Sequence, residues 1–181
     1  MGHKVNPNFQ IYFPSFNSMA DYEFKVDTPK SFSENEKAIF LQLLKKQDKV
    51  VNPTIDKINR CNFLGICYKG NLIVSIGAIK PKTNSDFNIE KADLDKIRNE
   101  FQLELGYCYT LPSETGKGHS SKIVNLLLSK IAQNNIMAST ELNEDNSMKR
   151  ILERNNFKQQ GKPWTSGIHG GQLGLFLKYA K

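Results

Sequence analysis

The chain has no apolar run approaching the roughly 20 residues that a bilayer-crossing helix requires, so no membrane span is expected. Cysteine is scarce: Cys61, Cys67 and Cys108 make three, an odd number without metal-ligand spacing. That excludes a disulfide framework and a cysteine-based metal site. Two of the thiols fall in strand-like runs, where a reduced cysteine behaves as a small hydrophobe, and a reducing cytoplasm is the expected setting. The opening MGHKVNPNFQIYF lacks a basic flank followed by an apolar segment, so no secretory leader is expected there. Asn6 stands where a myristoylation signal needs Ser or Thr. Internal repeats, domain linkers and low-complexity tracts are also missing.

What remains is the composition of an ordinary globular chain. Its 181 residues suit one domain spanning 1–181, with residues 1–30 as an N-terminal extension or edge strand. Apolar content of 39% and charged content of 24% do not indicate disorder. A net charge of +7 fits an anionic partner: a phosphate-bearing cofactor, RNA or an acidic protein face. The lysines are scattered, which favours solvated surface over a nucleic-acid footprint.

Prolines 7, 14 and 29 divide the opening stretch into short extended pieces, with an edge strand around Tyr22 to Val26. Ser33 and Glu36 form a capping box, and Ile39, Phe40, Leu43 and Leu44 follow at helical spacing, predicting a helix from Glu34 to Gln47. A short helix follows Pro53, with Ile55 and Ile58 facing inward. Asn62 to Tyr68 and Leu72 to Ile79, around Lys69, Gly70 and Asn71, predict a hairpin. Pro81 to Glu100 reads as a polar connection with a short helix. Ile136 to Leu142 predicts a strand parallel to the one before it, and Asp145 to Asn155 a helix stopped at Asn156 in the left-handed conformation. Phe157 to Gln160 and Leu173 to Tyr179 predict a closing hairpin, with GKPWTSGIHGGQ as its loop.

The middle of the chain, FQLELGYCYTLPSETGKGHSSKIVNLLLSKIAQ, reads as strand, glycine turn and helix. The first-turn N–H groups of such a helix have no internal partner, and small residues at Gly116, Gly118, Ser120 and Ser121 leave them open to a phosphate.

This order of elements, with TGKGHS opening the central helix and DNSMKRILERNNF further on, resembles the GNAT superfamily of acyl-CoA-dependent N-acyltransferases over about Asn62 to Tyr179. The superfamily's Q/R-x-x-G-x-G/A pattern falls on Thr115, Gly118 and Ser120, of which only Gly118 matches strictly. The resemblance implies an α/β (α+β) fold: a mixed, mostly antiparallel sheet of about six or seven strands flanked by about four helices, around a β-α-β acyl-CoA-binding core. It implies that the amides from Gly116 to Ser120 hold the pyrophosphate of acetyl-CoA, with Lys117 adding charge and His119 close by in the first turn, where plain surface packing is its alternative role. The pantetheine arm would lie as a pseudo-strand along the backbone of Tyr109, Thr110 and Leu111, between two strands that part. Asn146 would touch that arm, with Asn143 as competitor.

For catalysis, Glu104 is the implied base, eleven residues ahead of Thr115. Apolar and aromatic neighbours would desolvate it; a solvent-facing carboxylate paired with a lysine is the alternative. Leu152 occupies the seat of the usual tyrosine acid, leaving Tyr107, Tyr109, water or no acid at all. Trp164 and His169, in the last hairpin loop, are candidate acceptor contacts, and Glu34 to Arg60 would form the opposite wall. Cys108 reads as a buried structural thiol.

The implied activity is direct acetyl transfer from acetyl-CoA to an amine of a small molecule or protein, without metal, by a monomer or homodimer. A GNAT-fold module that binds acyl-CoA or a protein without turnover is the second reading. A basic RNA- or ribosome-associated protein is the third.

Overall fold

The computed structural model describes residues 22–180; the stretch before Tyr22, including the expected extended pieces there, lies outside the described residues. Seven strands form one sheet: β1 (Tyr22–Asp27), β2 (Phe63–Lys69), β3 (Leu72–Pro81), β4 (Leu103–Thr110), β5 (Ile136–Glu141), β6 (Lys158–Thr165) and β7 (Gln172–Lys178). Their order is β1-β2-β3-β4-β5-β7-β6. All neighbours are antiparallel except β4 and β5, which the crossover helix α3 (His119–Ser129) connects in parallel. The remaining helices are α1 (Glu34–Gln47), α2 (Ile55–Asn59) and α4 (Ser147–Arg154). None of the described helices is long and apolar enough to cross a membrane.

Local chemistry explains the boundaries. Ser33 Oγ accepts from the Glu36 amide and Glu36 Oε2 accepts from the Ser33 amide, the reciprocal box that starts α1. Asn146 caps α4 by accepting from the Met148 amide, and Asn156 ends it at φ 64°. The connection from 81 to 100 folds as two 3-10 helices, Asn84–Phe87 and Asp95–Glu100.

The core sits on both faces of the sheet. Ile123, Val124 and Leu127 of α3 pack with Leu105, Leu152, Phe157 and Phe176. On the other face Phe40, Leu43 and Leu44 of α1 cover Leu64, Ile66 and Ile76. Phe87, Phe101, Met137 and Trp164 close a third cluster beside β7. A Cβ at Gly77 would stand 2.9 Å from Ile123 Cγ2 and 3.3 Å from Cys108 Sγ, so the bare backbone there lets α3 lie close to β3.

One strand departs from expectation. Trp164 belongs to β6 and is 7% exposed, not in a hairpin loop. Gly161 (φ 72°) and Pro163 fall where the β6–β7 register shifts, between Gln160 and Trp164. β6 is an edge strand, where a bulge and a proline interrupt no central ladder.

Candidate active site

The site begins with a bulge in β4. Ile76 pairs with Tyr109 and Ala78 with Gly106, so Tyr107 and Cys108 together oppose the single residue Gly77. Tyr107 takes φ 57°, a left-handed conformation unusual for an aromatic residue. A bulge bends and twists its strand, and β4 pairs with β5 only through Leu103 with Ile136 and Glu104 with Met137. Beyond those pairs the strands part. The cleft of about 1370 Å³ between them is lined by Leu105 to Thr110 on one side and Ala138 to Glu141 on the other. Gln47, the last residue of α1, braces the bulge by donating through Nε2 to the Cys108 carbonyl at 2.8 Å.

At the far end of β4, Ser75 Oγ lies 2.6 Å from Thr110 Oγ1, which lies 2.8 Å from Ser120 Oγ. This chain of hydroxyls ties β3, β4 and the start of α3 together, so Ser120 contributes more than small size. Thr115 Oγ1 donates to the Pro112 carbonyl and folds the turn on itself. Gly116 (φ 78°) and Gly118 (φ 82°) then carry the chain into α3, whose N-cap Gly118 has no side chain to offer. Among the described residues no acceptor meets the amides of residues 116 to 121, and Gly116 and residues 118 to 121 line the same cleft.

Three neighbours of that turn differ from expectation. Leu111 donates its amide to the Val74 carbonyl at 2.9 Å, so that amide serves β3. Lys117 turns to Glu114 Oε2 at 2.7 Å and to the Tyr22 hydroxyl at 3.3 Å, away from the cleft lining. The His119 side chain is buried, not on the surface, although the residue lines the cleft: its ring lies 4.3 Å from that of Tyr22, with Nδ1 3.7 Å from Cys67 Sγ and Nε2 3.7 Å from Glu114 Oε2. The ring and thiol contacts of His119 and the Tyr22 contact of Lys117 come from β1 and β2, so local sequence carried no sign of them; Glu114, the other partner of Lys117, lies only three residues before it.

Glu114, not singled out in the sequence, anchors this side. Lys117, Lys69 and the Tyr22 hydroxyl all donate to its buried carboxylate, which holds it well below the usual carboxylate range.

Glu104 is buried at the mouth of the gap. Its Oε2 lies 2.5 Å from Lys80 Nζ and accepts the Thr83 amide at 2.7 Å. Burial pushes the nearby Tyr107 hydroxyl up to about 12, and Leu152 is fully buried with nothing to donate. Burial likewise pushes the thiols of Cys61 and Cys108 up to about 12 and that of Cys67 up to about 11, so none is a ready nucleophile.

Asn146 reaches the cleft, but its amide is committed, donating to Thr140 Oγ1 and to the Glu141 carbonyl while it caps α4. At the other end, Trp164 and His169 both line the cleft. Lys91 stands 5.7 Å over the Trp164 ring, and His169 Nδ1 lies 3.2 Å from Glu141 Oε1, which also pairs with Lys49 at 3.0 Å. Lys80, Gln47 and Glu141 went unread in the sequence because each acts through a partner distant along the chain. Among the described residues no group of His, Cys, Asp and Glu is assembled to hold a metal ion.

No family model matches the sequence, and no curated protein matches it. Solved structures do resemble the fold. An N-acetyltransferase from Staphylococcus aureus Mu50 is 12% identical with a TM-score of 0.62, covering 88% of this chain and 99% of its own. An acetyltransferase of the GNAT family from Bacillus cereus ATCC 10987 is 16% identical with a TM-score of 0.58 over the same shares. An acyl-CoA N-acyltransferase from Pseudomonas aeruginosa is 10% identical with a TM-score of 0.60, covering 87% of this chain and 99% of its own. The chain has the GNAT fold.

Proposed function

We propose that this GNAT-fold chain acts as an acyl-CoA-dependent N-acyltransferase, with acetyl-CoA as donor and an amine as acceptor. One observation carries the reading: the gap between β4 and β5 and the unbonded amides of the glycine turn belong to a single cleft. A strand edge left unpaired over several residues can bond an extended amide-bearing arm, and the turn is placed to receive that arm's diphosphate.

The donor supplies an activated thioester. The amides of Gly116 to Ser120 would hold its diphosphate, the backbone of Tyr109 and Thr110 its arm, and Arg150 and Arg154 of α4 would face its phosphates from the other lip of the cleft. Transfer forms a C–N bond and breaks the C–S bond. The amine proton goes to Glu104, and the sulfur leaves as thiolate or takes a proton from water, Tyr107 or Tyr109. The protein would work in a reducing cytoplasm, in keeping with its three unpaired thiols.

A second reading, binding without turnover, is favoured by the Lys80 ion pair on Glu104 and by Leu152 in the acid's seat. Thermal melting with saturating acetyl-CoA tests both. The melting temperature is expected to rise, and Gly118→Val, which forces a β-branched side chain into φ 82°, is expected to abolish the rise. An unchanged wild-type curve overturns both acyl-CoA readings. Release of CoA thiol with amines then separates transfer from binding.

A further inference from the structure

The acceptor half of the cleft has a charge balance that restricts what can enter it. Its carboxylates are Glu104, Asp86 and Glu141, and each already has a cation: Lys80 at 2.5 Å, Lys91 at 2.7 Å and Lys49 at 3.0 Å, with the His169 ring also 3.2 Å from Glu141. None is left over to receive an ammonium group. A further cation, Lys57 of α2, also lines the cleft. Its Nζ donates to the Val51 carbonyl at 2.6 Å, and among the described residues it makes no ion pair. An ammonium group has three donors, so two remain. Val51 and Ile168, 61% and 50% exposed, also line the cleft and leave an apolar surface to be covered.

We propose that the acceptor is an amine bearing an anionic group beside its nitrogen, as in an α-amino acid with an apolar side chain, and that Lys57 receives the anion. The inference rests on the proposed acyl transfer and names its substrate class. A polyamine or aminoglycoside would bring several ammonium groups to a cleft whose carboxylates are all paired and whose remaining charge is positive. Like charges brought together select against such partners. An amino acid brings one carboxylate to the spare lysine and keeps its side chain against the apolar surface.

The test uses amines that differ by one carboxylate: phenylalanine with phenethylamine, leucine with isopentylamine, and spermidine as the polycation. With acetyl-CoA as donor and thiol release as signal, kcat/KM is expected to be at least about tenfold higher for each amino acid than for its decarboxylated partner. Lys57→Met is expected to bring that ratio close to one by lowering the amino acid's kcat/KM, and Lys57→Arg to restore most of it. Melting temperature and acetyl-CoA Kd, measured on each variant, separate this from misfolding and are expected to stay at wild-type values. Preference for spermidine or for the decarboxylated amines, a ratio unmoved by Lys57→Met, or transfer to none of these amines by a protein that binds acetyl-CoA overturns the inference and leaves the donor site standing. A protein that binds no acetyl-CoA overturns the functional reading and this inference together.

Discussion

Glu104 and Lys80 show how much one contact decides. A carboxylate at the mouth of the gap is well placed to take an amine proton, yet Lys80 and the Thr83 amide already engage one of its oxygens. If Glu104 is the base, Glu104→Gln keeps the shape and removes the proton acceptor, so turnover should fall by roughly 10² or more while acetyl-CoA Kd stays within about twofold. Steady-state kinetics beside calorimetric binding checks this, and undiminished turnover removes Glu104 from the chemistry. Glu114 makes a prediction about pH. Hydrogen bonds from Lys117, Lys69 and Tyr22 depress its folded-state pKa. Its stabilisation is therefore present above the unfolded value near 4.3 and is lost as pH falls towards the folded value. Glu114→Gln should flatten the decline of melting temperature below about pH 4.3, and an acid limb as steep as wild type would show that the cluster contributes nothing.

At the scale of elements, the bulge in β4 requires a small neighbour. Gly77 faces both bulge residues and lies under Ile123 of α3, where a side chain has no room. Gly77→Val should overpack that contact and cost about 1–3 kcal/mol, read as a lower urea midpoint with an unchanged slope. An unchanged midpoint would mean that α3 can shift freely off the sheet. These same elements show what the sequence could disclose. The capping box of α1, the β2–β3 hairpin and the strand, turn and helix around Gly118 announce themselves through neighbours along the chain, and each formed where the pattern placed it. β6 did so only as far as Gln160; its second half did not, because Gly161 and Pro163 signal a loop unless one knows that the strand lies on a sheet edge. The site divides the same way. Gly116, Gly118 and the residues of β4 were legible, whereas the packing of His119 against Tyr22 and the hydrogen bond of Lys117 to the Tyr22 hydroxyl depend on a strand nearly a hundred residues earlier.

For the molecule as a whole, the parting of β4 from β5 means that two ladder pairs join a four-stranded half of the sheet to a three-stranded half. The cores on either side continue across the junction through α3 and α4, but the ladder itself does not. A ligand arm seated in the gap would complete it, so binding should change protection more than shape. At a concentration of 100 Kd, acetyl-CoA would stabilise the fold by about 2.7 kcal/mol, which for a chain of this size raises the melting temperature by roughly 5–10 °C. The same binding should slow hydrogen exchange at the gap-facing amides of β4 beyond Glu104 and of β5 beyond Met137, and at residues 116 to 121. Under exchange from local openings, the amides of β1 should change little, since β1 pairs only with β2 at the opposite edge. Uniform slowing across the sheet would report global stabilisation alone, and slowing confined to β1 and β2 would place the ligand on a different face of the protein.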